Sequence, residues 1–327
     1  MARALVIGGT RFIGRHTVNE LLTHDYDVTI FNRGQHPNPF ADHDQVTRVK
    51  GNRREEPAVK RACEAADPDI VIDCVALHPD DVITATNVFA DADAYVYVSS
   101  GAVYADHRIP VREDAPLEEW TPDIADNDPH ETYGPRKAEG DRAIFSAASD
   151  GVPAMTVRPM QVYGPHDSTK RFDYWVHRVD QFDRILVPGD GGSILHRSYV
   201  KDVAEGLRIV AESGTPGEAY NVADRTLMTL KDSVELIADT LDTDIEIVTA
   251  SARELSAHDV APSEFPQYTE DPMFVDTQKL ANLGWESTPR TDAVAAHAQD
   301  YLDSDRDGTA HGPDREAERQ AIEALTE

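Results

Sequence analysis

Short runs of β-branched and other apolar residues alternate with helical patterns along the first half of the chain. The patterns predict strands at 4–7, 28–31, 46–49, 70–73 and 95–98, and helices at 12–23, 56–66 and 80–90. Strand–helix alternation at this spacing is typical of a parallel sheet with helices on both faces. The predicted fold class is therefore α/β, with a doubly wound parallel sheet.

The pattern is less regular in the second half of the chain. The predicted elements there are helices at 131–149, 172–182, 202–212 and 230–240 and strands at 154–157, 219–222 and 245–248. Residues 189–192 read GDGG, which predicts a turn. The segment 303–327 is polar, charged and poor in aromatic residues, and it predicts a frayed or surface helix.

A glycine-rich turn follows the first predicted strand and opens the first predicted helix. Residues 6–14 read VIGGTRFIG, in which Gly8 makes a tight turn and Gly14 lets the helix and strand pack closely. The helix N-terminus would offer N–H donors and a positive dipole end to a pyrophosphate. We therefore expect a dinucleotide to be bound by Gly8, Gly9, Thr10, Arg11, Phe12, Ile13 and Gly14. A glycine-rich turn without a ligand is the alternative.

Three residues bear on the choice between NAD and NADP. Arg11 stands where the middle glycine of such turns usually lets the backbone approach the phosphates, and its guanidinium could bind a phosphate instead. Where an acidic residue would bind the ribose 2′-hydroxyl of NAD, the chain has Asn32 and Arg33. Asn32 tolerates a 2′-phosphate and Arg33 would attract one. We expect NAD or NADP, with NADP favoured; the alternative for Arg33 is a solvated turn residue.

Tyr133 and Lys137 lie four residues apart at the start of a predicted helix and therefore share one face. A phenol ordinarily titrates near about 10. A neighbouring ammonium and a positively charged nicotinamide would lower that pKa and make Tyr133 usable as an acid or base. The segment VSSGAVY at 98–104 ends the fifth strand, at the edge of the sheet where ligands bind in such folds.

Together these motifs resemble the extended short-chain dehydrogenase/reductases, the NAD-dependent epimerase/dehydratase family. The resemblance covers about residues 3–210 well and the remainder loosely, and five motifs carry it in order: 8–14, 99–104, 133–137, 158–165 and 199–204. It implies a Rossmann-type fold with a smaller C-terminal α/β substrate-binding region. The domains would be 1–165 for the dinucleotide, with contributions from 199–225, then 166–303 mainly for substrate, and 304–327 as a polar tail.

The resemblance also implies roles for individual residues. Tyr133 would be the catalytic acid/base, Lys137 would hold the nicotinamide ribose and tune the tyrosine, and Ser100 would bond the substrate oxygen. The cofactor-binding set would further include Asn52, Arg53, Cys74, Val75, Ala76, Ser99, Tyr133 and Lys137; Cys74 also suits a core position. The substrate candidates are Ser100, Tyr163 and Arg197. For Tyr163, as for Arg158, anchoring a loop beneath the site is the alternative. No metal site is expected.

The chain also departs from the family pattern. Leu195 stands where members that act on nucleotide sugars carry an arginine for the diphosphate, and Arg197 would share its face in an extended segment. Gly101 and Ala102 stand where the family's dehydratases have Asp-Glu, which favours an epimerase or reductase. The opening turn and residues 32–34 look most like an atypical branch of the family, which includes chloroplast stem-loop RNA-binding proteins.

Charge and composition restrict the partners and the compartment. The formal net charge is −29, which argues against a broad phosphate-contacting surface for nucleic acid. Because self-repulsion of this size needs screening, we expect a cytoplasm of very high ionic strength, as in a halophilic archaeon; an ordinary acidic protein is the alternative. Two cysteines indicate no disulfide framework, and neither a signal peptide nor a membrane span is visible. A cytoplasmic location is therefore expected.

The predicted function is that of an epimerase or reductase, which transfers hydride between a nicotinamide ring and a secondary alcohol or ketone. A sugar or a nucleotide sugar is the candidate substrate. Tyr133 would move the proton. One alternative is a non-catalytic dinucleotide sensor, although Ser100, Tyr133 and Lys137 are all present. The other is an RNA-binding relative, which would need a local basic groove. A homodimer is a further expectation taken from the resemblance.

Overall fold

The computed structural model describes residues 1–106, 109–121 and 132–326. The strands are β1 Arg3–Ile7, β2 Asp27–Asn32, β3 Val46–Lys50, β4 Ile70–Asp73, β5 Ala94–Val98, β6 Ala154–Pro159, β7 Gln161–Tyr163, β8 Arg184–Pro188, β9 Arg197–Tyr199, β10 Ala219–Val222 and β11 Glu246–Ala250. The helices are α1 Phe12–Thr23, α2 Glu56–Ala66, α3 Pro79–Val88, α4 Tyr133–Ser149, α5 Arg171–Gln181, α6 Val200–Ser213, α7 Leu230–Leu241, α8 Ala252–Ser256, α9 Gln278–Ala281, α10 Arg290–Leu302 and α11 Arg315–Thr326.

The chain divides into two compact units. Unit 1 consists of Met1–Val162, Val200–Ala223 and Val275–Ser287, and unit 2 of Tyr163–Tyr199, Asp224–Phe274 and Thr288–Glu327. None of the helices in the described part of the chain is both long enough and apolar enough to cross a membrane.

Unit 1 is built around a seven-stranded parallel sheet with the order β10-β6-β5-β4-β1-β2-β3. The chain moves outward from β1 in both directions, which is the doubly wound topology. Alternate residues of β1 enter two different cores: Val6 packs with α1 and α6 residues such as Val18 and Leu207, whereas Leu5 packs with α2 and α3 residues. The α/β fold class predicted from the alternating pattern is confirmed.

Because all seven strands are parallel, their carboxyl ends meet at one edge of the sheet. The turn after β1, the segment after β4, the 3₁₀ turn Gly101–Val103 after β5 and the start of α4 are therefore all placed on the same side of unit 1. The helix predicted to start at 131 begins at Tyr133, and position 131 itself lies outside the described residues.

Unit 2 contains a two-stranded parallel sheet, β11-β8, and five of the helices: α5, α7, α8, α10 and α11. The helices over 172–182 and 230–240 were predicted within one residue of their bounds, whereas β8, α8 and α10 were not predicted. The segment after 303 was predicted to be a frayed or surface helix, and it ends in the helix α11, in which Glu318 is fully buried and pairs with Arg178 of α5 at 2.9 Å.

Candidate functional site

The turn between β1 and α1 leaves no room for side chains at its glycines. Gly8 has φ +100°, and a Cβ there would lie 2.4 Å from Cγ1 of Val75. A Cβ on Gly14 would lie 2.6 Å from the carbonyl oxygen of Gly8. The N-cap residue Arg11 makes no side-chain capping bond, so the first N–H groups of α1 are available to an anion. This compact turn at a helix N-terminus fits the pyrophosphate of a dinucleotide.

The remaining residues of the turn have distinct surroundings. Phe12 is buried and Ile13 packs against the core on the α1 side of the sheet, so both support the turn from within. Arg11 is exposed, with Nη1 3.5 Å from Nε2 of His36. Gly9 lies against Val18, and a Cβ on this glycine would be 2.8 Å from Cγ2 of that side chain. The backbone of the turn and the exposed side chain of Arg11 are therefore the parts that could approach phosphate groups.

Both polar atoms of the Asn32 side chain, at the end of β2, take part in hydrogen bonds. Its Oδ1 accepts hydrogen bonds from Gly34 N at 3.0 Å and from Arg48 Nε and Nη2 at 3.0 and 2.9 Å. Its Nδ2 donates to Thr10 Oγ1 at 3.4 Å. Arg33 is exposed beside it. Arg48, on β3, was not identified from the sequence, because only the pairing of β3 with β2 brings it to Asn32.

Arg53 is committed to a buried carboxylate. Its Nη1 lies 2.6 and 2.5 Å from the two oxygens of Asp73, which is fully buried at the end of β4. Asp73 also accepts a hydrogen bond from the Tyr95 hydroxyl at 2.8 Å. Asn52 accepts from the backbone N of Arg54 and so shapes the turn before α2. In this arrangement the guanidinium of Arg53 braces the sheet edge through its ion pairs with Asp73 and Asp81.

The segment after β4 contains a cysteine with a neutral thiol, Cys74, and a backbone carbonyl that accepts a hydrogen bond, that of Ala76. Burial, and then the charge of Asp73, raise the pKa of the Cys74 thiol to about 12, so Cys74 is not a thiolate nucleophile at neutral pH. Val75 exposes about half of its side chain next to Gly8, at 48%. Ala76 contributes its carbonyl oxygen to Lys137.

Lys137 is fixed between the ends of two strands. Its Nζ donates to the carbonyl oxygens of Ala76 and Val98 at 2.8 and 2.7 Å, and its side chain is buried. The same Nζ lies 5.9 Å from the ring centroid of Tyr133, the first residue of α4. The spacing of four residues thus brings the ammonium to the tyrosine, as the helical pattern predicted.

The start of α4 lies against the turn that follows β5. A Cβ on Gly134 would be 2.5 Å from the carbonyl oxygen of Ala102, so glycine permits this close approach. Ser100 caps the 3₁₀ turn by accepting from Ala102 N at 3.2 Å. Ser99 is buried, and its Oγ has no hydrogen-bond partner among the described residues. Tyr133, at 37% exposure, is the accessible member of the group.

Arg158 is an internal anchor of unit 1. Its Nε donates to Asp141 at 2.7 Å, and its Nη1 donates to the Tyr104 hydroxyl and to the carbonyl oxygen of Glu113, both at 2.9 Å. The side chain is fully buried. The structure therefore places Arg158 in the anchoring role that was one of its two interpretations.

The two predicted substrate residues of unit 2 are also buried there. The Tyr163 hydroxyl donates to Asp224 Oδ2 at 3.1 Å, and burial raises its pKa well above the ordinary value. Arg197 Nη1 donates to Ser233 Oγ at 2.8 Å, and its guanidinium carbon lies 5.3 Å from the Phe172 ring centroid. Arg290 and Asp224, which the sequence did not single out, belong to the same cluster.

Comparison with known proteins finds a matching family model and relatives at low sequence identity. The family model described as "NAD dependent epimerase/dehydratase family" matches residues 4–223. The chain is 25% identical over 315 residues to the chloroplast stem-loop binding protein of 41 kDa b of Arabidopsis thaliana, covering 91% of this chain and 78% of the relative. It is 25% identical over 310 residues to the low-salt glycan biosynthesis protein Agl12 of Haloferax volcanii, covering 86% and 92% respectively.

A solved structure shares the fold over nearly the whole length. The dTDP-glucose 4,6-dehydratase of Bacillus anthracis, in complex with NAD, superposes with a TM-score of 0.73 at 20% identity. The superposition covers 93% of this chain and 98% of the dehydratase chain.

Proposed function

Because this chain belongs to the NAD-dependent epimerase/dehydratase family, whose model covers 220 of its 327 residues, we propose that it is an epimerase or reductase of a secondary alcohol or ketone, carried by a sugar or nucleotide sugar. The observation that carries the proposal is the placement of Lys137 Nζ between two strand-end carbonyls, 5.9 Å from the Tyr133 ring. Two of the similar proteins support a sugar substrate: one is named for glycan biosynthesis, and the other is a dTDP-glucose dehydratase.

In the proposed reaction, the chain's own residues handle the proton. A bound nicotinamide dinucleotide would supply the hydride chemistry, as the acceptor for the hydride that an alcohol carbon loses on oxidation. The hydroxyl proton passes to the phenolate of Tyr133, and Ser100 Oγ holds the substrate oxygen. The ammonium of Lys137 would favour the negative charge on the phenolate oxygen, since two carbonyl hydrogen bonds hold Nζ 5.9 Å from the centroid of the Tyr133 ring.

The dinucleotide would occupy the turn at Gly8–Gly14, with its adenosine ribose near the end of β2. The backbone of Gly8, Gly9 and Thr10 and the N-terminus of α1 would hold the pyrophosphate. Val75, Ala76 and Ser99 would line the segment toward the nicotinamide. Asn52 and Arg53 would contribute through the shape of the turn before α2, since Arg53 is already paired with Asp73.

The test of the catalytic assignment is Tyr133→Phe. We expect turnover to fall by about 10²- to 10⁴-fold, because the proton acceptor is lost, while cofactor affinity stays nearly unchanged. Tyr26→Phe is the matched control, since Tyr26 precedes β2 at the opposite edge of the sheet and bonds to Glu212. The assay follows the absorbance of reduced nicotinamide and the sugar products, with nucleotide sugars and simple ketones, in high salt. Full activity of the Tyr133 variant would refute the assigned role.

The NAD complex of the structural neighbour supports NAD binding, and we propose a preference for NADP. Ribose recognition in NAD needs an acceptor for the 2′-hydroxyl. The Oδ1 of Asn32 already accepts from Gly34 and Arg48, and the exposed Arg33 adjoins it. A 2′-phosphate, which accepts hydrogen bonds, suits this surrounding better than a hydroxyl that must donate.

The cofactor preference is tested by dissociation constants for both dinucleotides. Arg33→Ala should weaken NADP binding by about tenfold or more, as expected for the loss of a charge-assisted hydrogen bond, and leave NAD binding unchanged. Arg61→Ala, which removes the same charge from an exposed position on α2, is the control. Tighter binding of NAD than of NADP by the unmodified protein would reverse the preference.

Stem-loop binding, which the name of the Arabidopsis relative states, is not carried over to this chain. A net charge of −29 opposes the phosphate backbone of RNA.

A further inference from the structure

Unit 2 buries two arginine side chains around one carboxylate. Arg197 is 3% exposed, Arg290 is 8% exposed and Asp224 is 4% exposed. Arg290 Nη2 lies 3.5 Å from Asp224 Oδ2, an ion-pair distance without hydrogen-bonding geometry. Arg197 is close enough for the charge of Arg290 to lower its pKa, after the larger effect of burial, to about 10. The guanidinium of Arg197 is therefore still charged at neutral pH.

The hydrogen bonds of this cluster leave several donors unused. Arg197 Nη1 donates to Ser233, but its Nε has no partner among the described residues. The Nε, Nη1 and Nη2 atoms of Arg290 also have none within the described chain. Asp224 accepts from Tyr199 N at 3.0 Å and from the Tyr163 hydroxyl at 3.1 Å, and its ion pair with Arg290 lacks hydrogen-bond geometry, so it leaves these guanidinium donors without a hydrogen bond. Buried donors are nearly always satisfied in folded proteins.

The cluster also carries an unbalanced charge. His196 Nε2 lies 2.7 Å from the carbonyl oxygen of Asp224 and so carries its proton there, while burial lowers the pKa of the imidazole and keeps the ring neutral. Two guanidiniums then face one carboxylate. Arg290 is the first residue of the 13-residue helix α10, and its N-cap Pro289 makes no side-chain capping bond. The helix dipole adds further positive potential at this point.

We propose that Arg197 and Arg290 form a buried binding site for a small anion, which accepts N–H bonds from both guanidiniums and balances their charge. Planar guanidiniums present paired donors that match an oxyanion, and a halide could accept the same N–H groups. The anion could be a free inorganic ion or the phosphate group of a substrate. The experiment below distinguishes these two sources by which added anion saturates the site. This proposal can fail or succeed independently of the proposed reaction, because it is tested by protein unfolding and not by enzyme turnover.

The test is the thermal unfolding of the full chain at constant ionic strength and constant potassium concentration. Potassium gluconate, whose anion is bulky, is replaced stepwise by potassium chloride or potassium phosphate, and a separate series adds uridine diphosphate. An anion that binds only the folded protein raises the melting temperature along a saturating curve. We expect such a curve for the unmodified protein and for Arg184→Gln, a control that removes an arginine paired with Glu246 on the surface of unit 2.

Two variants change the site itself. Arg290→Gln removes the unbalanced charge, so it should melt no lower than the unmodified protein in gluconate and should show no saturating rise. Arg290→Lys keeps the charge but loses the planar donor pair, so it should need a higher anion concentration for half of the rise. Saturation with chloride or phosphate alone would identify a free-ion site, and saturation only with uridine diphosphate would identify a substrate phosphate. Parallel curves for the unmodified protein and both variants in every series would overturn the proposal.

Discussion

At the scale of single residues, Gly14 shows how tightly the turn after β1 is built. An added Cβ would meet only backbone, namely Gly8 O at 2.6 Å, Gly8 C at 3.0 Å and the Cα of Gly9 at 3.0 Å. Backbone atoms cannot rotate away as a side-chain end can. We expect Gly14→Ala to cost about 1–3 kcal/mol of unfolding free energy, as overpacking does, and to weaken dinucleotide binding because the turn must widen. Urea unfolding and cofactor titration measure the two effects.

Gly206→Ala is the matched control for that change. Gly206 lies on α6 of the same unit, and its added Cβ would meet side-chain methyl groups at longer distances, Leu280 Cδ2 at 3.2 Å and Val222 Cγ2 at 3.3 Å. The higher helix propensity of alanine, about 1 kcal/mol, offsets this crowding. Equal losses of stability and cofactor affinity in both variants would contradict the role given to Gly14.

The same scale shows which parts of the site a sequence can reveal. Gly8, Gly14, Tyr133 and Lys137 act through spacing along one turn or one helix, so their relative placement was predictable. The partners of Asn32 and Arg53 were not, because Arg48 and Asp73 reach them only through the pairing of neighbouring strands and the packing after β4. Binding and catalysis by these residues remain predictions, which the variants above address.

At the scale of elements, α11 depends on a buried carboxylate. Glu318 is fully buried, with Oε2 2.9 Å from Arg178 Nε and 3.0 Å from Arg315 Nη1. Glu318→Gln would leave the buried Arg178 without its counter-charge. We expect unit 2 to lose about 3 kcal/mol of stability, the usual result of breaking a buried ion pair, and proteolysis to cut first near α11. Urea unfolding with limited proteolysis measures both.

Glu323→Gln on the same helix serves as the comparison for Glu318→Gln. Glu323 is 53% exposed and pairs with Arg319, which is 48% exposed, so solvent screens the pair. Its loss should leave the unfolding midpoint unchanged. If Glu318→Gln also left the midpoint and the cleavage pattern unchanged, the ion pair would not be what holds α11.

Elements of unit 1 were easier to predict than those of unit 2 for a physical reason. Strands buried on both faces, such as the AYVYV sequence of β5, carry continuous apolar runs. In α10, alanines alternate with polar residues and His297 is buried through a bond to Asp173 at 2.9 Å, so the apolar stripe is faint. Likewise, the polar sequence of α11 gave no sign that Glu318 is buried, because an ion pair anchors the helix beside only two buried apolar residues, Ala321 and Ile322.

At the scale of the whole molecule, net charge is the dominant feature. The chain carries 60 acidic and 31 basic residues, which gives the formal charge of −29. Many of the basic residues are already paired with one or two carboxylates, as Arg53, Arg158 and Arg178 are, so most of the acidic excess remains unpaired. Repulsion among these acids opposes the compact state, and dissolved salt reduces it because the screening length falls to about 3 Å at 1 M.

We therefore expect the melting temperature to rise steadily between dilute buffer and molar potassium chloride, by roughly 3 °C for each kcal/mol gained in a chain of this size. Screening depends on ionic strength and not on the identity of the anion, so potassium gluconate should give most of the same rise. Binding at Arg197 and Arg290 would instead saturate and depend on the anion, which lets the two effects be separated in one protein. A melting temperature that does not change with either salt would show that the acidic surface is tolerated without screening, and the expectation of a high-salt cytoplasm would then lose its physical basis.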